Sequence, residues 1–219
     1  GIYCIKEAWT ELMYAQNMGG SPDNVEIVQA PVGSDHEIYQ LFKFCRTYAL
    51  SVDENYEFVA SQVDIDSLID WMIMEAYSTN TDTQQNLRYF RSSELGNKWM
   101  FCYYDIDWGW HYNSQFSHVL STSFKWQHMG FTRNFMENDE FRQRFLERFS
   151  SLLETVLSDE NVLARIEYYE ELLDPEVARE RERWGGSYAA WQERVEQLKN
   201  FLANGHLDKM IANLDRFIG

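Results

Sequence analysis

Apolar and polar positions divide the chain into a mixed front and a helical back. Gly1-Ile-Tyr-Cys-Ile-Lys-Glu7 reads as a short strand, and Ala8 to Met18 as a helix closed by Gly19-Gly20. Asn24 to Ala30 reads as a second strand, ended by Pro31. Ile38, Leu41, Phe42 and Cys45 recur at the 3.6-residue period and predict a helix, and Glu54 to Gln62 predicts another. Asp64-Ile-Asp-Ser opens the next helix, because short polar side chains accept the unpaired amide hydrogens of a first turn. Its stripe is Leu68, Ile69, Met72, Ile73 and Ala76, with Trp71 and Met74 outside it. A helix apolar on nearly all sides is a buried one.

The polar run Ser78 to Asn86 is a loop by composition. Leu87 to Arg91 and Lys98 to Tyr104 read as strands joined through Gly96-Asn97, a hairpin turn signal. Asp105-Ile-Asp-Trp-Gly-Trp110 ends the second strand, and residues 111–128 read as irregular. From Phe131 the pattern is helical. Phe141, Phe145, Phe149, Leu152 and Leu153 mark one helix, and Val162, Ile166, Tyr169 and Leu173 mark another. Val177 to Trp184 follows Asp174-Pro175, where proline suits a first turn. Tyr188 to Ala203 and Leu207 to Phe217 complete the set. The fold class is α+β, mostly helical, with a small hairpin at its centre.

Composition narrows the function. The 219 residues carry 19 Lys+Arg against 35 Asp+Glu, a formal net charge of −16. That balance argues against nucleic acid, which needs a basic face. It also disfavours anionic membrane surfaces, and no apolar run approaches the roughly 18 residues of a membrane span. Cys4, Cys45 and Cys102 are too far apart for a zinc ribbon or a dithiol. Their odd number reads as buried free thiols. Aromatics reach 16%, more often core than cleft. Gly-x-x-x-x-Gly-Lys-Ser/Thr and Gly-x-Ser-x-Gly are missing, so P-loop and serine-hydrolase readings lose support.

The chemistry concentrates between Asp64 and Trp110. A buried helix delivers a polar loop with Asp82 and Asn86, and a hairpin then ends in Asp105-Ile106-Asp107. A hairpin brings its ends together, so Asp82 and Asp105 can converge. If the strand persists, Asp105 and Asp107 share one face. With Asn86 they form a set of hard oxygen donors, the chemistry magnesium prefers when it is shared with phosphates. The order also matches phosphoryl transfer, where one Asp orients the hydroxyl, an Asn soon after it holds metal, and a later Asp holds metal. A turn residue at Asp82 and a strand-end cap at Asp105 are the structural alternatives. His111, His118 and His128 lie near this block without a metal-binding spacing, and His36 and His206 read as surface residues. Gly109 reads as a residue that permits an unusual backbone conformation after the acidic pair. Trp108, Trp110 and Tyr112 either stack on a base or sugar or are buried against helices.

The wording of the block carries a resemblance. Asn80-Thr-Asp82, Asn86-Leu-Arg-Tyr-Phe90, Lys98-Trp-Met-Phe and Tyr104-Asp-Ile-Asp-Trp-Gly109 together resemble the spore-coat protein H (CotH) kinase family. The segments Gly1 to Glu7, Phe141 to Phe149 and Glu180-Arg-Glu-Arg-Trp184 are similar to flanking family elements. Tyr104 stands where the family usually has Trp. The resemblance implies an atypical protein-kinase-like fold. It makes Asp82 the catalytic Asp, Asp105 a metal ligand, Asn86 a second ligand or an organiser of the loop, and Asp107 a further acidic ligand. It places Glu7, Tyr104 and Trp108 at the nucleotide. Mg²⁺ (or Mn²⁺) and ATP are the implied cofactors, and Ser or Thr of a protein partner the acceptor. The implied setting is extracellular, at a cell surface or in a spore coat.

A kinase needs an upstream glycine-rich cover and a phosphate-binding lysine. Lys6 is the only early lysine and lies inside the motif strand. The expectation is therefore a single, N-terminally truncated domain. Residues 1–35 would be a remnant of the N-lobe and hinge, and residues 36–219 the helical C-lobe. Such a fragment is expected to transfer phosphate poorly on its own. Two competing readings are a non-catalytic surface or coat assembly module and a carbohydrate-active protein. The latter needs carboxylates about 5–9.5 Å apart on opposite sides of a bond, which one strand face does not provide.

Overall fold

A computed structural model describes residues 2–29, 33–80, 82, 86–110 and 132–203. The fold is α+β, as expected. Two compact units emerge. Among the described residues, the first takes in Glu7–Arg148 and the second residues 2–6 with 149–203.

The first unit is built on a three-stranded antiparallel sheet in the order β1 (Val25–Gln29), β2 (Leu87–Ser92), β3 (Met100–Tyr103). Val25 pairs with Ser92 at one end, and Leu87 pairs with Tyr103 at the other. Gly96 and Asn97 take φ +83° and +54° in the β2–β3 turn, the left-handed values that such a turn demands. Residues 2–9 form no strand, contrary to the expectation for Gly1 to Glu7. The sheet gives that segment no pairing partner, and Ile5 is 97% exposed. Apolar, β-branched content does not hold a strand without a ladder to join.

Helix α1 (Glu11–Met18) starts where Thr10 accepts from the Met13 amide, and it ends at Gly19 with φ +90°. Helix α2 (Glu37–Thr47) buries Ile38, Leu41, Phe42 and Cys45, the four residues of its predicted stripe. His36 is not an ordinary surface histidine. Its Nδ1 caps α2 by accepting from Ile38 N at 3.2 Å, and its Nε2 lies 3.4 Å from Glu26. Helix α3 (Asp53–Ala60) follows.

Helix α4 (Ile65–Tyr77) is the central element. Its stripe is buried, and Trp71 is fully buried as well, seated 5.7 Å from the Phe101 ring of β3. Asp64 caps it by accepting from Ser67 N at 2.8 Å. The chain on either side of α4 is stitched to the chain around β3. At the front, Asp64 N donates to Trp99 O at 2.9 Å and Phe101 N donates to Ser67 Oγ at 3.1 Å. At the back, Trp110 N donates to Ser78 O at 2.6 Å and Trp110 Nε1 to Tyr77 O at 3.0 Å. The helix and the strand therefore run alongside each other and finish at the same end.

Helices α5 (Thr132–Phe135) and α6 (Asp139–Glu154) cover the unit further. Asn138 accepts from Phe141 N at the start of α6, and Phe141 and Phe145 are fully buried. Arg144 and Arg148, one turn apart, pair with Asp66 and Asp70 of α4, both at 2.7 Å.

In the second unit, α7 (Asp159–Trp184) is one unbroken helix with Pro175 inside it, not two helices. Proline removes one intrahelical hydrogen bond. Helix α7 packs against α8 (Tyr188–Ala203). Lys199 pairs with Glu170 at 2.6 Å, the Tyr188 hydroxyl bonds to Asp174, and Val177 is buried. Ile2 N also donates to Glu180 at 3.0 Å within this unit. Residues 111–128 with their three histidines, His206 and the segment Leu207 to Phe217 lie outside the described residues.

Candidate active site

The site forms where α4 and the hairpin end together. Ser78 and Thr79 follow α4, and the hydrogen bonds of Trp110 hold the Asp105–Trp110 segment against them. The polar stretch then returns to the sheet, because Asn86 immediately precedes the Leu87–Tyr103 pair. Asp82 and Asn86 therefore share one end of the hairpin with Tyr104 and Asp105.

Within this end, Asn86 Nδ2 donates to Asp82 Oδ2 and to Asp82 O, both at 3.2 Å. Asp82 N donates to Asn80 Oδ1 at 3.1 Å. Asn80 Nδ2 donates to Glu75 Oε2 at 2.8 Å. Glu75 and Asn80 are fully buried, whereas Asp82 is exposed. Burial pushes the Glu75 carboxyl up to about 7; the Asn80 amide and the Trp71 indole draw it down, and the Asp82 charge raises it.

The acidic segment differs from expectation. β3 ends at Tyr103, and Asp105 takes φ +57°. Asp105 and Asp107 therefore do not share a strand face; Asp107 lies in a turn, and both are exposed. The turn is forced by the ties to α4, which pull the chain off the sheet after Tyr104. Gly109 does not have a positive φ. A Cβ there would meet Ile106 O at 2.9 Å and Ser78 O at 3.1 Å, so it is the close approach to Ser78 that requires glycine.

The residues expected at a nucleotide are distributed unevenly. Tyr104 is half-buried, with the Arg88 guanidinium over its ring at 4.3 Å and Trp9 edge-on at 5.5 Å. Trp108 is 56% exposed. Trp110 is half-buried and sits 5.7 Å from Tyr77. Glu7 contacts Asn17 of α1 at 3.4 Å. Cys45 is buried, Cys102 half-buried and Cys4 exposed, so only part of the thiol expectation holds. Burial pushes the Cys45 and Cys102 thiols up to about 12.

Among the described residues, no three His, Cys, Asp or Glu side chains gather closely enough to hold a metal by themselves. The fit with magnesium rests instead on donor chemistry. Magnesium keeps several waters and binds through one or two carboxylates together with phosphate oxygens. Asp105 and the Asn86 Oδ1 are donors of that kind; the amide nitrogen of Asn86 is engaged by Asp82, and its oxygen has no described partner.

The chain matches the family described as CotH kinase protein over residues 16–206. It belongs to that family. The matched stretch contains Asp82, Asn86, Tyr104, Asp105, Asp107 and Trp108, and leaves out Glu7. No curated protein and no solved structure matches the chain. No helix among the described residues is long and apolar enough to cross a membrane.

Sequence reasoning passed over two residues of this site. Glu75 is an acid in a helix otherwise apolar on nearly every side, five residues before the Asn of the Asn-x-Asp motif, and that placement was its signal. Arg88 has no ion-pair partner among the described residues, and its Nε is buried without an acceptor. Its alternation with the apolar residues of β2 gave no sign that it stacks on Tyr104.

Proposed function

We propose that this CotH kinase domain transfers phosphate from magnesium-bound ATP to a Ser or Thr hydroxyl of a protein partner. The observation that carries the reading is that the Asp82–Asn86 pair and Asp105 flank the paired residues Leu87 and Tyr103 at one end of the hairpin, in a chain of this family. Asp82 would accept the hydrogen bond of the acceptor hydroxyl. Its Oδ2 is held by Asn86 and its backbone by Asn80, which leaves Oδ1 for the acceptor. Positioning of this kind supplies most of the rate in phosphoryl transfer.

Asp105 and the Asn86 Oδ1 would hold magnesium, with Asp107 as a further acidic group nearby. Magnesium, when bound, neutralises charge on the transferred phosphate, which a chain of net charge −16 needs. Tyr104 and the exposed Trp108 offer ring faces to a base. Arg88 places a positive charge over the Tyr104 ring. We also propose a protein partner at a cell surface or spore coat, by family alone.

The test is calorimetric titration of magnesium-ATP into the full-length natural protein and its Asp105→Ala variant, with phosphate transfer measured alongside. Binding that disappears in Asp105→Ala, and transfer that disappears in Asp82→Ala while binding remains, are the expected results. No binding by the wild type refutes the reading and favours a non-catalytic assembly module.

A further inference from the structure

We infer that Glu75 is the positioning residue of this site: it orients the Asn80 amide, and Asn80 in turn fixes the Asp82 backbone. The catalytic meaning of this inference rests on the kinase reading; its structural content does not.

The geometry leaves little freedom. Asn80 uses both ends of its side-chain amide, Nδ2 on Glu75 Oε2 at 2.8 Å and Oδ1 on Asp82 N at 3.1 Å. Only an acceptor at position 75 keeps Nδ2 inward and so Oδ1 toward Asp82. A donor there, or no polar group, would release the amide to turn over, and Oδ1 would leave the Asp82 N–H. The backbone reinforces the arrangement. Asn80 N donates to Glu75 O at 3.1 Å, and the Ser78 hydroxyl donates to Glu75 O at 3.3 Å. Between them Thr79 is fully buried at φ +52°, a conformation that a β-branched residue adopts only when its surroundings impose it.

The acid is costly where it stands. A fully buried carboxyl with one charge-bearing neighbour in Asp82 loses hydration that a leucine would not need. Packing alone therefore does not account for Glu75, whereas the Asn80 contact does. Ionised or protonated, Glu75 offers Asn80 an acceptor oxygen, so the positioning does not depend on its charge.

The experiment uses Glu75→Leu, Glu75→Gln and Asn80→Ala. The ¹⁵N-labelled 219-residue chain reports the Asp82 backbone amide by NMR, and the full-length natural protein reports kcat and KM for magnesium-ATP. Glu75→Leu and Asn80→Ala are expected to shift the Asp82 amide upfield as its hydrogen bond is lost. They are also expected to lower kcat by about 100-fold, the scale of a misplaced catalytic group, with KM for ATP little changed. Glu75→Gln, which keeps an acceptor oxygen, is expected to restore both the resonance and kcat. If the wild type transfers no phosphate, the kinase reading fails, and the Asp82 resonance alone decides the positioning. If Glu75→Leu does not fold, Glu75→Met, close to glutamate in size but without a carbonyl acceptor, takes its place and decides it. An Asp82 amide unmoved in the folded variants, or a kcat and KM that change together, overturns the inference.

Discussion

Glu75→Gln should make the protein more stable at pH 8 than the wild type, by an amount that grows with pH. The Glu75 carboxyl is pushed from 4.5 up to about 7, mainly by burial, with the Asp82 charge adding to it. In the unfolded chain the same group ionises at its ordinary value. Between the two, the unfolded state has released a proton that the folded state still holds. The folded state then binds more protons, so stability falls as pH rises through this window. The contribution is fully present below 4.5 and lost above about 7. Converted by the free energy of a pH unit, the complete loss is roughly 3 kcal/mol, most of it between pH 5 and pH 8. Glutamine has the same shape, offers Asn80 the same acceptor and does not titrate. The charged and titratable groups that face Glu75, Asp82 and the Tyr103 hydroxyl, are unchanged in the variant and cancel in the comparison. Urea unfolding of both proteins at pH 5, 6, 7 and 8 measures the difference directly. With a slope of about 2–3 kcal/mol/M, the midpoints should separate by about 1 M over that range. A constant difference across pH would mean that Glu75 ionises as if exposed. The burial argument, and with it the cost assigned to this acid, would then be wrong.

Three further substitutions test the scaffold around the site. Gly109→Ala brings a methyl within 2.9 Å of a backbone oxygen that has no freedom to yield. It should cost about 1–3 kcal/mol in denaturant melts and weaken magnesium-ATP binding by displacing Asp105; an unchanged melt would contradict the close approach. Pro175→Ala returns the missing N–H to the interior of α7 and should stabilise the second unit by roughly 1–3 kcal/mol, so a lower melting temperature would argue against a continuous helix. Asp64→Ala removes the cap of α4 and should cost about 1 kcal/mol by chemical denaturation, and no loss would mean that the Trp99 and Ser67 ties alone hold the start of the helix.

The fold was most legible where local chemistry and tertiary need agree. Gly19 ends α1 because the chain needs φ +90° there, and Gly96-Asn97 turns the hairpin for the same reason. In α2 the predicted stripe and the buried residues coincide, because one helix face meets one core. It was least legible where a distant partner decides. The apolar start of the chain has strand composition but finds no ladder. Pro175 should have broken a helix, but α7 runs through it, with α8 tied to Glu170 and Asp174 just before the proline and Val177 buried just after it. Asp105 follows a strand in sequence, yet hydrogen bonds from Trp110 to α4 turn the chain before the strand can continue. Of the candidate site, the sequence showed the residue types and the approach of the segment after α4 to the segment after β3, which the Trp110 ties make. The support behind Asp82 was not, since nothing local announces that Ser78, Thr79 and Asn80, a polar run, are buried.

That burial separates a site from an ordinary loop. Four non-glycine residues among those described have positive φ: Thr79, Asn97, Asp105 and Trp110. Asn97 belongs to the hairpin turn, where such values are the usual solution. The other three lie on the segments that lead to Asp82 and that carry Asp105. Each costs of order 1–3 kcal/mol and persists only where neighbouring contacts impose it. The contacts doing so here are those of Glu75, Asn80 and Trp110 with the end of α4. Segments with no task beyond connecting α4 to β2 and leading away from β3 could relax Thr79, Asp105 and Trp110 at no loss to the core. The expense is concentrated on the backbone that carries Asp82 and Asp105, which is where phosphoryl transfer would need rigidity and where a coat-assembly surface would not.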